Sequence, residues 1–164
     1  EPLSALDVPT RESLRDDLAT VLADVTSVYV THNRTTARAL ADRIAVMHDG
    51  RVVQSGSVER VFERPESAFV ARFTGANVLP ASLADTDSTG DPFAVRPENV
   101  RLVAPEAGDR PGTVTRVVRE AGATRVTLDC EGTPVATYAT DPPAPGDRVG
   151  VVFPSEHRVP LSDD

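Results

Sequence analysis

Gly112-Thr113-Val114-Thr115-Arg116-Val117-Val118-Arg119, then Thr124-Arg125-Val126-Thr127-Leu128-Asp129-Cys130 and Thr133-Pro134-Val135-Ala136-Thr137-Tyr138-Ala139, form the stretch that decides the fold. The three runs are short, alternating and separated by turn-forming residues. Successive side chains of a strand point to opposite faces, so such alternation gives each run one core face and one solvent face. Phe93 to Arg96 and Arg148 to Phe153 continue the pattern on either side. The second half of the chain is therefore expected to form a small antiparallel barrel or sandwich.

The residues before it read differently. From about Ala81 to Pro92 the sequence is polar and turn-forming, without periodicity, which predicts a linker or exposed excursion. Upstream, Leu14, Leu18, Val21 and Leu22 fall on one face of a helix predicted over Val8 to Asp24, which Asp7 can cap. Val25 to Thr31 reads as a short buried strand. Asn33 can cap a helix from Arg34 to Asp42. Ile44 to Met47 and Arg51 to Gln54 read as a hairpin, because Asp49-Gly50 supplies the positive φ angles of its turn. Two short helices, near Val58 to Phe62 and Glu66 to Phe73, are separated by Pro65, and Gly75 ends the second.

Composition bounds the function classes. The 164 residues suit one domain or two small ones, and 40% hydrophobic content supports a core, although aromatic content is only 4%. All 17 basic residues are Arg, against 25 acids, for a net charge of −8. The acidity rises along the chain: 11 acids against 9 Arg through Val78, then 14 against 8. No basic stripe is visible, which speaks against nucleic acid as a partner. An acidic, lysine-free chain rich in Ala, Asp, Thr and Val resembles proteins of salt-loving archaea, where high salt screens carboxylate repulsion; GC-biased codon usage is the alternative source of the same composition. No apolar run approaches the length of a membrane span, and no secretory signal is expected. Three dispersed His and one Cys make no metal-ligand cluster, and Cys130 reads as a core filler.

Glu1-Pro2-Leu3-Ser4-Ala5-Leu6-Asp7, followed by Val30-Thr31-His32-Asn33, resembles the second half of an ABC-transporter ATPase. The run from Ala39 to Ile44, then Asp49-Gly50 and Val61-Phe62-Glu63-Arg64-Pro65, also follow that family's pattern. The later half resembles the TOBE barrel appended to importer-type ATPases, through Arg96-Pro97-Glu98, Gly112-Thr113-Val114 and Pro145-Gly146-Asp147-Arg148-Val149. The resemblance implies an α/β fold class. Residues 1–78 would be the C-terminal part of a P-loop ATPase domain, 79–92 a linker, and 93–164 an OB-like β-barrel.

The resemblance also implies roles. Glu1 would act on the attacking water, His32 would sense the γ-phosphate, and Ser4 and Asp7 would lie in a loop coupling the two subunits of a homodimer. Arg96 and Glu98 would form the barrel's recurrent element. Read from the residues alone, Glu1 is a solvated terminal group, Asp7 an N-cap, His32 a loop or packing histidine, and Arg96 and Glu98 a structural ion pair. The sequence also departs from the family. Asn33, Arg34, Thr35 and Thr36 replace residues that are often Asp, Gln and Glu, and the GxxxxGK[ST] phosphate loop, the Leu-Ser-Gly-Gly signature, the Gln-bearing loop and the magnesium-binding aspartate are absent.

ATP and Mg2+ are accordingly expected for an intact subunit and not for this chain alone, which is predicted inactive by itself. The implied partners are a second ATPase subunit, a membrane permease and a solute-binding protein, on the inner face of the cell membrane. Phe73 to Leu79 looks like the junction of molybdate, tungstate and related oxyanion importers. Thr113, Thr115 and Arg116 are candidate oxyanion donors in the barrel. The alternatives are an anion-binding or sensing module without ATPase activity, and a truncated, inactive gene product.

Overall fold

The structure is a computed structural model that describes residues 7–22, 25–84, 90–120 and 122–162. The chain divides by its own packing into two units, Glu1–Val61 and Phe62–Asp164.

In the first unit, α1 spans Val8–Leu22 and α2 spans Arg34–Leu40. The Asp7 carboxylate accepts from the Thr10 amide at 3.4 Å, and the Asn33 side chain accepts from the Thr36 amide at 3.0 Å. Each side chain satisfies an amide that the first helical turn leaves unpaired. β1 (Arg43–His48) and β2 (Arg51–Ser57) form the expected hairpin. Its turn holds Asp49 at φ 48° and Gly50 at φ 74°, the left-handed geometry that matches the twist of paired strands.

Two expectations fail in this unit. Residues 25–31 are not a buried strand: they are irregular, with Val28 94% and Val30 76% exposed. A strand exists only where a neighbour takes its N–H and C=O groups, and among the described residues no strand pairs with this segment. Nor is the α/β fold class met as a whole: among the described residues the chain is mostly β with few helices, and every pair of named strands is antiparallel. On the apolar side of α1, Val21 is 66% exposed, while Leu18 and Leu22 are half-buried.

The second unit is mostly β. α3 (Val58–Glu63) runs across the boundary between the units, and α4 (Ala68–Thr74) follows it. Ser67 caps α4, and Gly75 closes it at φ 92°, a conformation glycine adopts without steric cost. The strands are β3 (Asn77–Leu79), β4 (Phe93–Val95), β5 (Arg101–Val103), β6 (Arg110–Glu120), β7 (Ala123–Cys130), β8 (Thr133–Ala139), β9 (Arg148–Val152) and β10 (Val159–Pro160). They form a three-stranded sheet ordered β10-β4-β3 and a five-stranded sheet ordered β5-β9-β6-β7-β8. This arrangement is consistent with a TOBE or OB-like barrel.

The core lies between the sheets. Leu79, Leu83, Phe93, Val95, Val114, Val126, Leu128, Val135, Val151 and Phe153 are buried in one cluster. Phe93 and Phe153 meet edge to face, with ring centroids 6.0 Å apart. Leu79 and Leu83 correct the expected linker over 79–92. Residues 77–79 pair with β4, and a 3-10 turn over Ala81–Leu83 brings Leu83 into the core. Two leucines four residues apart are too sparse for any periodic pattern to reveal.

The Asn77 side chain joins the two sheets. Its Nδ2 donates to the Ala136 carbonyl at 2.9 Å, and its Oδ1 accepts from the Ala136 amide at 2.8 Å. Nδ2 also reaches the Val95 carbonyl at 3.3 Å. A primary amide has the same donor and acceptor pair as a peptide group, so Asn77 stands in for a missing strand on the edge of β8.

Cys130 is fully buried in the core. Burial first, then the Asp129 and Glu131 carboxylates, push its thiol from an ordinary 9.0 up to about 11. The unfolded chain would release this proton near pH 9 and the folded chain near pH 11. The associated stability is therefore complete below pH 9 and is lost as pH rises through 11, a loss of roughly 2–3 kcal/mol. Urea unfolding at pH 8, 9, 10 and 11 should show the decline in the wild type and a flatter profile in Cys130→Ala.

Candidate functional site

Glu1 and Ser4 lie outside the described residues. Asp7 is exposed, and its carboxylate caps α1. His32 is exposed just ahead of α2, beside Asn33, whose amide donates to the Thr31 hydroxyl at 3.0 Å. Among the described residues no cluster of three or more His, Cys, Asp or Glu could hold a metal ion. The sequence contains no GxxxxGK[ST] phosphate loop. His48 stands in the β1–β2 turn, 3.8 Å from Asp49.

Arg96 and Glu98 do come together. The extended backbone at Arg96 and the proline-initiated 3-10 turn Pro97–Asn99 set the two side chains beside each other, with Nε–Oε1 at 2.8 Å. The rest of the guanidinium turns to the helices. Nη1 lies at the long limit of hydrogen bonding from the Phe62 carbonyl (3.4 Å) and the Thr74 carbonyl (3.5 Å), and the group sits 5.9 Å from the Phe62 ring centroid. Phe62 and Thr74 belong to the last turns of α3 and α4, whose carbonyls have no partner within the helix. Arg96 thus ties both helix ends to the barrel's strand β4. The Arg96 side chain is only 14% exposed while Glu98 is 46% exposed, so the pair is a structural anchor with its carboxylate end open to water.

Beside the anchor is a groove of about 450 Å³. Ala94, Val95, Val159 and Pro160 supply its apolar part, and Phe62 and Pro65 stand on the helical side. Its polar lining comprises Glu63, Arg64, Arg96, Asn99, Glu156, His157 and Arg158. Arg158 is held in place by Nε donating to the Phe153 carbonyl at 2.7 Å, by Asp109 at 3.9 Å and by the Phe93 ring at 5.8 Å. The Glu156 carboxyl is held below its ordinary 4.5, chiefly by a hydrogen bond from its own backbone amide, with His157, Arg101 and Ser155 adding to the effect. Sequence reasoning missed both this groove and Asn77. The available signal for Asn77 was its presence in an otherwise apolar strand, where asparagine is disfavoured unless its amide is used.

Of the other barrel donors, Thr115 is engaged within the sheet. The Thr115 hydroxyl donates across the β6–β7 bulge to the Thr127 carbonyl at 3.0 Å. Thr113 and Arg116 are exposed on either side of it.

Residues 93–161 match the model of the TOBE domain. An uncharacterised ABC transporter ATP-binding protein of Escherichia coli K12 is 33% identical over an alignment covering all of this chain and 52% of the relative. A spermidine/putrescine import ATP-binding protein of Ruegeria pomeroyi is also 33% identical, covering 99% of the chain and 53% of the relative. A sulfate/thiosulfate import ATP-binding protein of Pseudomonas syringae pv. tomato is 42% identical, covering 80% of the chain and 40% of the relative. The chain spans about half the length of the curated relatives it matches. An antiparallel barrel that matches a TOBE domain, joined to a segment alignable with these subunits, makes the chain a homologue of ABC importer ATP-binding subunits.

Proposed function

We propose that the chain is the C-terminal portion of the ATP-hydrolysing subunit of an ABC importer, and that this subunit energises solute uptake through a membrane permease. The observation that carries the reading is the alignment of the whole chain, not only its barrel, with import ATP-binding proteins. In the intact subunit Glu1 keeps the assigned role at the attacking water and His32 that at the γ-phosphate. Ser4 and Asp7 belong to the loop that couples two such subunits, and Arg96 with Glu98 fixes the barrel to the helices before it. ATP and Mg2+ are held by chain beyond these residues. The permease and a solute-binding protein complete the system at the inner face of the membrane; among the described residues no helix is long and apolar enough to cross it.

Molybdate, tungstate or another oxyanion remains the cargo suggested by the stretch from Phe73 to Leu79, but that stretch has structural work of its own. Thr74 donates to the Val70 and Ala71 carbonyls, Gly75 closes α4, and Asn77 bridges the sheets. The relatives carry names with unrelated cargos, spermidine/putrescine and sulfate/thiosulfate among them. In this reading, cargo choice belongs to the permease and its binding protein.

The test is equilibrium ATP binding by the natural gene product and by the 164-residue chain alone. Binding by the first and none by the second at millimolar ATP is expected. A natural product that does not bind ATP, or a 164-residue chain that binds it as well, would overturn the proposal.

A further inference from the structure

We infer that residues 158–162 act as a releasable strap: they fix the N-terminal end of α4 to the barrel, and their opening frees that helix while the five-stranded sheet stays folded. The strap begins where Arg158 is anchored on the Phe153 carbonyl at 2.7 Å. It then runs beside β4 as β10, with Val159 opposite Ala94 and Pro160 opposite Phe93. The Leu161 amide donates to the Pro92 carbonyl at 2.9 Å. Ser162 forms a parallel bridge to Ser67, whose hydroxyl caps α4 by accepting from the Val70 amide at 3.3 Å. Between these points Leu161 is 1% exposed and packs with Ala71 of α4 and Ala94 of β4.

Two features make the strap separable. Its apolar cluster is its own: Ala71, Ala94 and Leu161 form a group apart from the core that holds Phe93, Leu128 and Val151. Segments that share no core can open independently. The hold of the strap is also slight. β10 has only two residues, Pro160 has no N–H to give to a ladder, and Leu161 is the one buried side chain of the five. So short a strand stays in place through the burial of its neighbour more than through its own pairing. The other end of α4 is attached differently, by Gly75 closing the helix and by Arg96 reaching toward the Thr74 carbonyl at 3.5 Å. Release of the strap therefore leaves that second attachment in place. Because α4 is the last α-helix before the barrel strands, the strap sets how firmly the chain entering the barrel is held. The inference does not depend on the ATPase reading; it rests on contacts within Phe62–Asp164.

Amide hydrogen exchange of the natural gene product, read in peptides covering α4 and β7, tests the strap. Leu161→Ala should speed exchange across α4 by about 10-fold or more and leave β7 at the wild-type rate. Leu161→Met, which keeps the apolar volume, should match the wild type in both segments. The inference is overturned if α4 exchanges no faster in Leu161→Ala, if β7 speeds up as much as α4 so that strap and barrel open together, or if Leu161→Met loosens α4 as much as Leu161→Ala does.

Discussion

Replacing Asn77 by alanine is expected to lower the stability of the barrel by about 3–5 kcal/mol, a large fraction of the roughly 5–15 kcal/mol a domain possesses. The Asn77 amide gives and takes a hydrogen bond at Ala136, at 2.9 and 2.8 Å, and Ala136 is only 9% exposed. Truncation leaves a buried N–H and a buried C=O unpaired, each costing about 1–3 kcal/mol, and also removes the weaker bond to the Val95 carbonyl. Asn77→Asp should be no better. It keeps an acceptor for the Ala136 amide, loses both donated bonds, and sets a carboxylate against two carbonyl oxygens. Urea denaturation gives the comparison directly. Thr137→Val, which removes one 2.7 Å bond from its hydroxyl to the Val100 carbonyl, should cost only about 1 kcal/mol. Equal losses in Asn77→Ala and Thr137→Val would show that Asn77 does not stitch the sheets.

Gly150→Ala is the second large effect, and its cause is steric. The loop over residues 104–109 crosses β9 at this point. A Cβ on Gly150 would lie 2.5 Å from the Ala104 carbonyl oxygen and 2.7 Å from the Gly108 nitrogen. A Cβ on Gly108 would meet Gly150 Cα and the Val151 nitrogen, both at 2.5 Å. These neighbours are backbone, so no side-chain rotation relieves the overlap. β9 lies between β5 and β6, and its displacement disturbs two ladders at once. A loss of about 3 kcal/mol or more is expected, the upper end for overpacking. Gly108→Ala should resemble it, because the two glycines define one close approach. A thermal midpoint unchanged in both variants would contradict the packing.

The sequence made some elements legible and concealed others for identifiable reasons. β6 to β9 were readable because each run is long enough for alternation to register, and the structure keeps Val114, Val126, Leu128 and Val135 on the core side. The caps at Asp7, Asn33 and Gly75 act within a few residues of their helices, so local chemistry decides them. β3, β5 and β10 have at most three residues and no pattern; their pairing is set by neighbours distant in sequence. Residues 25–31 were over-read for the converse reason, since β-branched composition without a hydrogen-bonding neighbour does not make a strand. The Arg96–Glu98 pair was visible because proline fixes the geometry between them. The Asn99 groove was not, because its walls come from segments nearly 100 residues apart.

ATP hydrolysis by the natural gene product, compared with its Glu1→Gln and His32→Ala variants, tests the central claim most directly. A group that orients or deprotonates the attacking water contributes about 10²–10⁴-fold, so Glu1→Gln should reduce turnover by at least about 100-fold with ATP still bound. On the proposed reading, His32→Ala should also fall by one or more orders of magnitude, because it would remove a contact at the γ-phosphate. Hydrolysis that proceeds at the wild-type rate in Glu1→Gln, or a natural product that turns over no ATP, would contradict the assignment of this chain to an importer ATPase.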